Sequence, residues 1–193
     1  MFDFDCCGPT INGIHEASHA VIMAACGCEF KYVDSWRGSV VGWRGLCPPH
    51  VNLEQKIRIS RKQVSQSIDL IDLDIVMVLA GAVSESKYLK TKLELERFVF
   101  AEDLRSIVYR MRDILEVPYE LHSPYLSGLV RVTQQLLDKK WEAVLNVATI
   151  LDNDRSMQFE DVLKNAQPVF NLDTLREMVR ESRPVEFSFS ISG

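Results

Sequence analysis

The sequence predicts a mainly helical α+β fold with one small β-hairpin, and three observations predict it. Apolar residues recur at helical spacing in several long segments, one short stretch turns β-branched and aromatic around a glycine, and no Pro/Gly/Ser-rich linker divides the chain. A chain of 193 residues that is 47% hydrophobic and 25% charged can bury one sizeable core.

The elements follow in order. Residues 10–26 read as a helix, with Thr10 or Asn12 available as N-cap, Ile14, Val21, Ile22 and Ala25 on one apolar side, and Gly27 as its stop. Phe30 to Val33 and Val40 to Trp43 read as paired strands joined through Trp36, Arg37, Gly38 and Ser39. Cys47-Pro48-Pro49-His50 is a loop, because consecutive prolines fix φ and remove donors, and a polar helical stretch begins near Leu53. Ile71, Ile75, Val78, Leu79, Ala82 and Val83 then fall at helical spacing and mark a well-buried helix.

A third helix carries Leu104, Ile107, Val108, Met111 and Leu115 and ends before Pro118; Glu102 and Asp103 stand at its start, where carboxylates suit the helix dipole. From about Leu126 to Leu151, Leu129, Val132, Leu136, Leu137, Trp141, Val144, Leu145 and Ala148 share one broad face. A short helix over Glu160 to Asn165 follows, and residues 168–193 form a less defined tail behind a domain of residues 1–167.

The formal charge of −5 argues against nucleic-acid binding, which draws affinity from clustered Lys and Arg; Arg58, Arg61 and Lys62 read as a solvated helix face. The start MFDFDCCGPT lacks the positive charge of a secretory signal and no apolar run reaches membrane-spanning length, so a soluble, cytoplasmic protein without membrane contact is expected. The five cysteines are odd in number, lie in the first quarter and lack paired CxxC spacing, which suits reduced thiols better than a disulfide framework or a structural metal site.

The segment His15-Glu16-Ala17-Ser18-His19 carries the chemistry. Residues four apart project from one helix face, so His15 and His19 can offer imidazole nitrogens to one ion, with Glu16 beside them. Zinc takes imidazole readily and, where it keeps a coordination position for water, lowers that water's pKa; an adjacent carboxylate can accept the proton and pass it to a leaving amine. Ala17, Ser18 and Ala20 leave room for a crowded site. A third protein ligand is needed, and spacing leaves it open among His50, His122 and the carboxylates, Glu85 and Asp103 included, although the prolines beside His50 and His122 favour plain loop histidines.

Gly13 to Val21 resembles the HEAGHA motif of the peptidase domain of the FtsH family of ATP-dependent zinc metallopeptidases. Phe30 to Arg44 looks like the hairpin that follows the family's first helix, Leu79-Ala80-Gly81-Ala82-Val83-Ser84-Glu85 is similar to its LAGRAAE segment, and Phe100-Ala101-Glu102-Asp103-Leu104 to its GAxxDL segment. The helices from Leu126 to Asn165 resemble its C-terminal helical region, so the likeness runs from about residue 10 to 165. Ser18 stands for the motif glycine, Ala82 for the arginine, and the glycine that opens GAxxDL is absent.

The resemblance implies a helical zinc-peptidase domain in which His15, His19 and Asp103 hold Zn2+, Glu16 is the general base, and Glu85 accepts a hydrogen bond from a ligand histidine and fixes its tautomer. The expected partner is an unfolded or exposed polypeptide substrate, with the hairpin edge receiving it by strand pairing. Because no GxxxxGK[ST] P-loop occurs, a peptidase of this kind is expected to act on exposed chain or to borrow a separate unfoldase; the family's hexamer leaves a homo-oligomer as a further expectation. The competing reading is a catalytically inactive, metal-binding interaction module with the same fold.

Overall fold

The computed structural model describes residues 8–36, 38–42, 61–93 and 101–187. Arg37, Trp43, the Cys47–His50 loop, the start of the polar helix near Leu53 with Arg58, Phe100, and Cys6, Cys7 and Cys47 lie outside the described residues.

Two helices that are buried all round form the centre. In α1 (Ile11–Ala25) every residue from Gly13 to Ala25 is buried, and in α2 (Arg61–Leu89) the same holds from Ile71 to Ser84. A helix apolar on every side belongs inside a core, so the polar residues in these stretches each need an internal partner. Thr10 caps α1, its side chain accepting from the Gly13 amide, whereas Asn12 donates its side-chain amide to the Ser35 carbonyl at 2.5 Å.

The strands β1 (Tyr32–Asp34) and β2 (Ser39–Val41) pair antiparallel with Val33 opposite Val40, so the hairpin forms. A third strand, β3 (Ser156–Gln158), adds antiparallel to the other side of β1 with Met157 opposite Val33, giving the order β2-β1-β3. The sheet is therefore larger than the two strands the sequence predicts. Three residues are too few to show a period, and β3 is placed by Arg155, whose left-handed backbone turns the chain out of the preceding helix.

Helix α3 (Ala101–Tyr109) continues as a π-helical turn over Arg110–Ile114. A 3₁₀ turn, Tyr119–Leu121, leads into α4 (His122–Asp154), which packs along α1 and α2. His122 thus opens a helix rather than sitting in a loop; its Nε2 lies 2.9 Å from the Val117 carbonyl. Helix α5 (Phe159–Ala166) packs on α1 and α4.

The described stretch after Pro168 also contains a helix. Asn171 caps α6 (Leu172–Ser182), accepting from the amides of Asp173 and Thr174, and Leu175 and Val179 are buried against α2 and α4. Ion pairs complete the docking: Arg180 with Asp69, and Arg183 with Asp69 and Asp72. No helix among the described residues is long and apolar enough to cross a membrane.

Candidate metal centre

His15, Glu16 and His19 are almost fully buried at 2%, 2% and 7% exposure. Burying polar groups costs roughly 2–7 kcal/mol each when they find no partner, so the partners show what the cluster is built for. The Nδ1 of His15 is 2.7 Å from Glu85 Oε1, and the Nδ1 of His19 is 2.9 Å from the Met77 carbonyl oxygen. A carbonyl oxygen only accepts, so His19 carries its proton on Nδ1; the Glu85 carboxylate asks the same of His15.

Both Nε2 atoms are then lone pairs in the neutral rings, yet they face one another at 3.0 Å. Asp103 Oδ2 adds a third acceptor, 3.4 Å from each nitrogen. Three atoms converging in this way could hold a metal ion between them, and a proton on one of the Nε2 atoms would also bridge them. Ligand atoms about 2.0–2.1 Å from a tetrahedral zinc ion lie about 3.3–3.4 Å apart, so the triangle of 3.0, 3.4 and 3.4 Å has the size that a zinc site of two histidines and one aspartate needs. The residue types fit as well: two imidazoles and a carboxylate, each ring oriented from its far side by a carboxylate or a backbone carbonyl.

The electrostatics report the same demand for positive charge. Burial lowers the pKa of His15, but hydrogen bonds to Asp103 and Glu85 and the charges of Glu16 and Glu85 outweigh it and raise the value to about 9. Burial raises that of Asp103, yet hydrogen bonds from the two histidines and their charge prevail and hold its carboxyl well below the usual range. A proton and a divalent cation would therefore compete for one place.

Glu16 lies beside this triangle. Burial pushes its carboxyl up, against the attraction of His19 and His15. The turn between β1 and β2 passes over it: Gly38 has φ 61°, and a Cβ built on it would sit 3.5 Å from Glu16 Oε1. Most side chains are excluded there by the left-handed backbone, and the absence of one leaves space next to the carboxylate.

Gly81 is the residue that sequence spacing did not single out. A Cβ on it would fall 2.5 Å from His15 Cε1 and His19 Nε2 and 2.6 Å from His15 Nε2, so the α2 backbone runs directly against both imidazoles. Ser84 ties that turn, its hydroxyl donating to the Gly81 carbonyl at 2.6 Å. The geometry thus brings together all five residues that the sequence nominates and places His122 elsewhere; His50 lies outside the described residues. Comparison of the chain with protein-family models, with curated proteins and with solved structures found no match, so the case for its chemistry rests on this geometry.

Proposed function

We propose that the chain is a zinc-dependent metallopeptidase that hydrolyses peptide bonds of unfolded or exposed polypeptide, with His15, His19 and Asp103 as metal ligands. The observation that carries the reading is the convergence of two imidazole lone pairs and a carboxylate, 3.0–3.4 Å apart, with a buried glutamate next in sequence to one ligand. Zinc, when bound, supplies a Lewis acid that polarises a carbonyl and lowers the pKa of a coordinated water towards neutrality.

The chain's own residues do the rest. Glu85 and the Met77 carbonyl fix the two imidazoles in the tautomer that presents Nε2. Glu16 takes the proton of the attacking water and returns it to the departing amine, a two-way task that suits a carboxyl raised by burial. The edge strand β2, continuous with the turn that covers Glu16, offers backbone groups to an extended substrate.

The test combines metal content with hydrolysis of an unfolded protein. The expected result is one zinc per chain, with Glu16→Gln retaining the metal and losing about 10²–10⁴-fold in rate. Chelator-insensitive hydrolysis, or Glu16→Gln as active as the parent, overturns the reading. Bound zinc with no hydrolysis of any unfolded substrate identifies the interaction module instead.

A further inference from the structure

Trp36 is 78% exposed, although an indole ordinarily contributes more apolar contact than most side chains when buried. Its surroundings are fixed nonetheless. The Trp36 amide donates to Asp34 Oδ1 at 2.9 Å, and the Ser35 amide donates to the Arg155 carbonyl at 2.9 Å. The Ser35 hydroxyl reaches the Leu151 carbonyl at 3.1 Å, and Asn12 holds the Ser35 carbonyl. The turn is therefore tied to the start of α1 and the end of α4, the two helix ends that bracket the sheet.

The Arg155 guanidinium lies 5.1 Å from the centre of the Trp36 ring and covers part of it. The backbone of Arg155 is placed by its left-handed turn (φ 66°), which closes α4 and leads into β3. An exposed aromatic ring on a backbone tied to two helices gives up less conformational freedom on binding than one on a free loop. Trp36 and Gly38 are two positions apart, a chain span of about 7 Å at most, and Gly38 lies over Glu16.

We propose that Trp36, backed by Arg155, is a specificity-determining platform that receives an aromatic side chain of the polypeptide substrate beside the hydrolytic centre. The inference rests on the peptidase reading of that centre. The cation occupies one part of the indole and the rest of the ring is open, which favours stacking of a planar apolar group over capture of a charge. The position follows from the β1–β2 turn: Trp36 stands two positions before Gly38, whose Cα lies against Glu16, so a chain bound across the turn passes both the carboxylate and the ring.

The test uses the zinc-loaded Glu16→Gln chain, which binds peptide without cutting it, and a set of extended polar peptides in which one Phe, or Ala as control, is moved through each position. At one position Phe should bind roughly two- to tenfold more tightly than Ala, the range expected for one aromatic pair. The preference should vanish in Trp36→Ala, persist in part in Trp36→Phe, and weaken in Arg155→Asn, where asparagine tolerates the left-handed backbone. An unchanged preference in Trp36→Ala, or no peptide binding, overturns the proposal. So does a Trp36→Ala variant whose only change is loss of self-association, since the ring would then face a second copy of the chain. Hydrolysis by the unmodified protein is read separately: cleavage indifferent to the Phe position sinks the platform and leaves the peptidase, whereas Trp36-dependent binding without cleavage sinks the peptidase.

Discussion

Helix α2 contributes carboxylates to two clusters of charged groups, and the two are built differently. Near its middle Asp72, wholly buried, meets Arg183 at 2.7 Å and the Tyr125 hydroxyl at 2.6 Å, while Asp69 meets Arg180 and Arg183 at 2.5 Å. Further along, Glu85 and the Gly81 backbone face His15 and His19, and the positive charge that Asp103 meets is that of these two imidazoles. The first cluster supplies its own cations as arginines, which stay protonated. The second has imidazoles instead, and the proton that His15 holds there sits where a metal ion would sit. A cluster of the first kind holds a helix in place; one of the second kind could hold a cation.

The largest expected effect separates the two. Arg183→Ala leaves Asp72 buried without its cation and should lower stability by about 3–5 kcal/mol at neutral pH while zinc affinity stays unchanged. The pH dependence has a definite sign. Burial pushes Asp72 up to about 6 from an ordinary 3.8, so the native state holds this proton more tightly than the unfolded chain does, and stability falls as pH rises through that window. Without Arg183 the window moves higher. Denaturant unfolding from acid to neutral pH should therefore show the variant's deficit shrinking on acidification; a deficit that does not vary with pH would assign the arginine a packing role only.

The two clusters were unequally legible in the sequence. His15 and His19 announce themselves because helical spacing alone sets them on one face, with Glu16 beside them. Asp103 has no such signal: it is 84 residues beyond His19 in number, and only the resemblance around Phe100–Leu104 singled it out. Gly81 and the Met77 carbonyl escaped notice because a close helix approach and a backbone acceptor leave no mark in residue type. Helix α6 was missed for a related reason. Its buried face is only Leu175 and Val179, and the rest of its hold comes from arginines pairing with carboxylates 111 or more residues away.

A smaller effect couples the two readouts that Arg183 keeps apart. In Gly81→Ala the new methyl group would demand space already held by both imidazoles at 2.5 Å, so either α2 moves away from α1 or the rings turn. Overpacking of this kind costs about 1–3 kcal/mol, and zinc affinity should fall with it because the displaced Nε2 atoms no longer converge. Thermal unfolding of the metal-free protein beside a zinc titration checks both. A variant that binds zinc normally would mean that the close approach has slack.

The smallest effect should fall on binding alone. Glu85 accepts from His15 Nδ1 and makes no contact with the ion itself in this reading, so Glu85→Gln keeps a hydrogen-bond acceptor for the ring but removes the charge that raises its basicity. Zinc affinity should drop by about 10–100-fold. Stability of the metal-free chain should change little, because the variant also relieves repulsion among the carboxylates around the triangle. Competition titration against a chelator of known affinity measures the first, and denaturant unfolding without metal the second. If Glu85→Gln instead destabilised the metal-free protein as severely as Arg183→Ala does, both clusters on α2 would be structural, and the distinction between a site that balances its own charge and one that waits for a cation would fail.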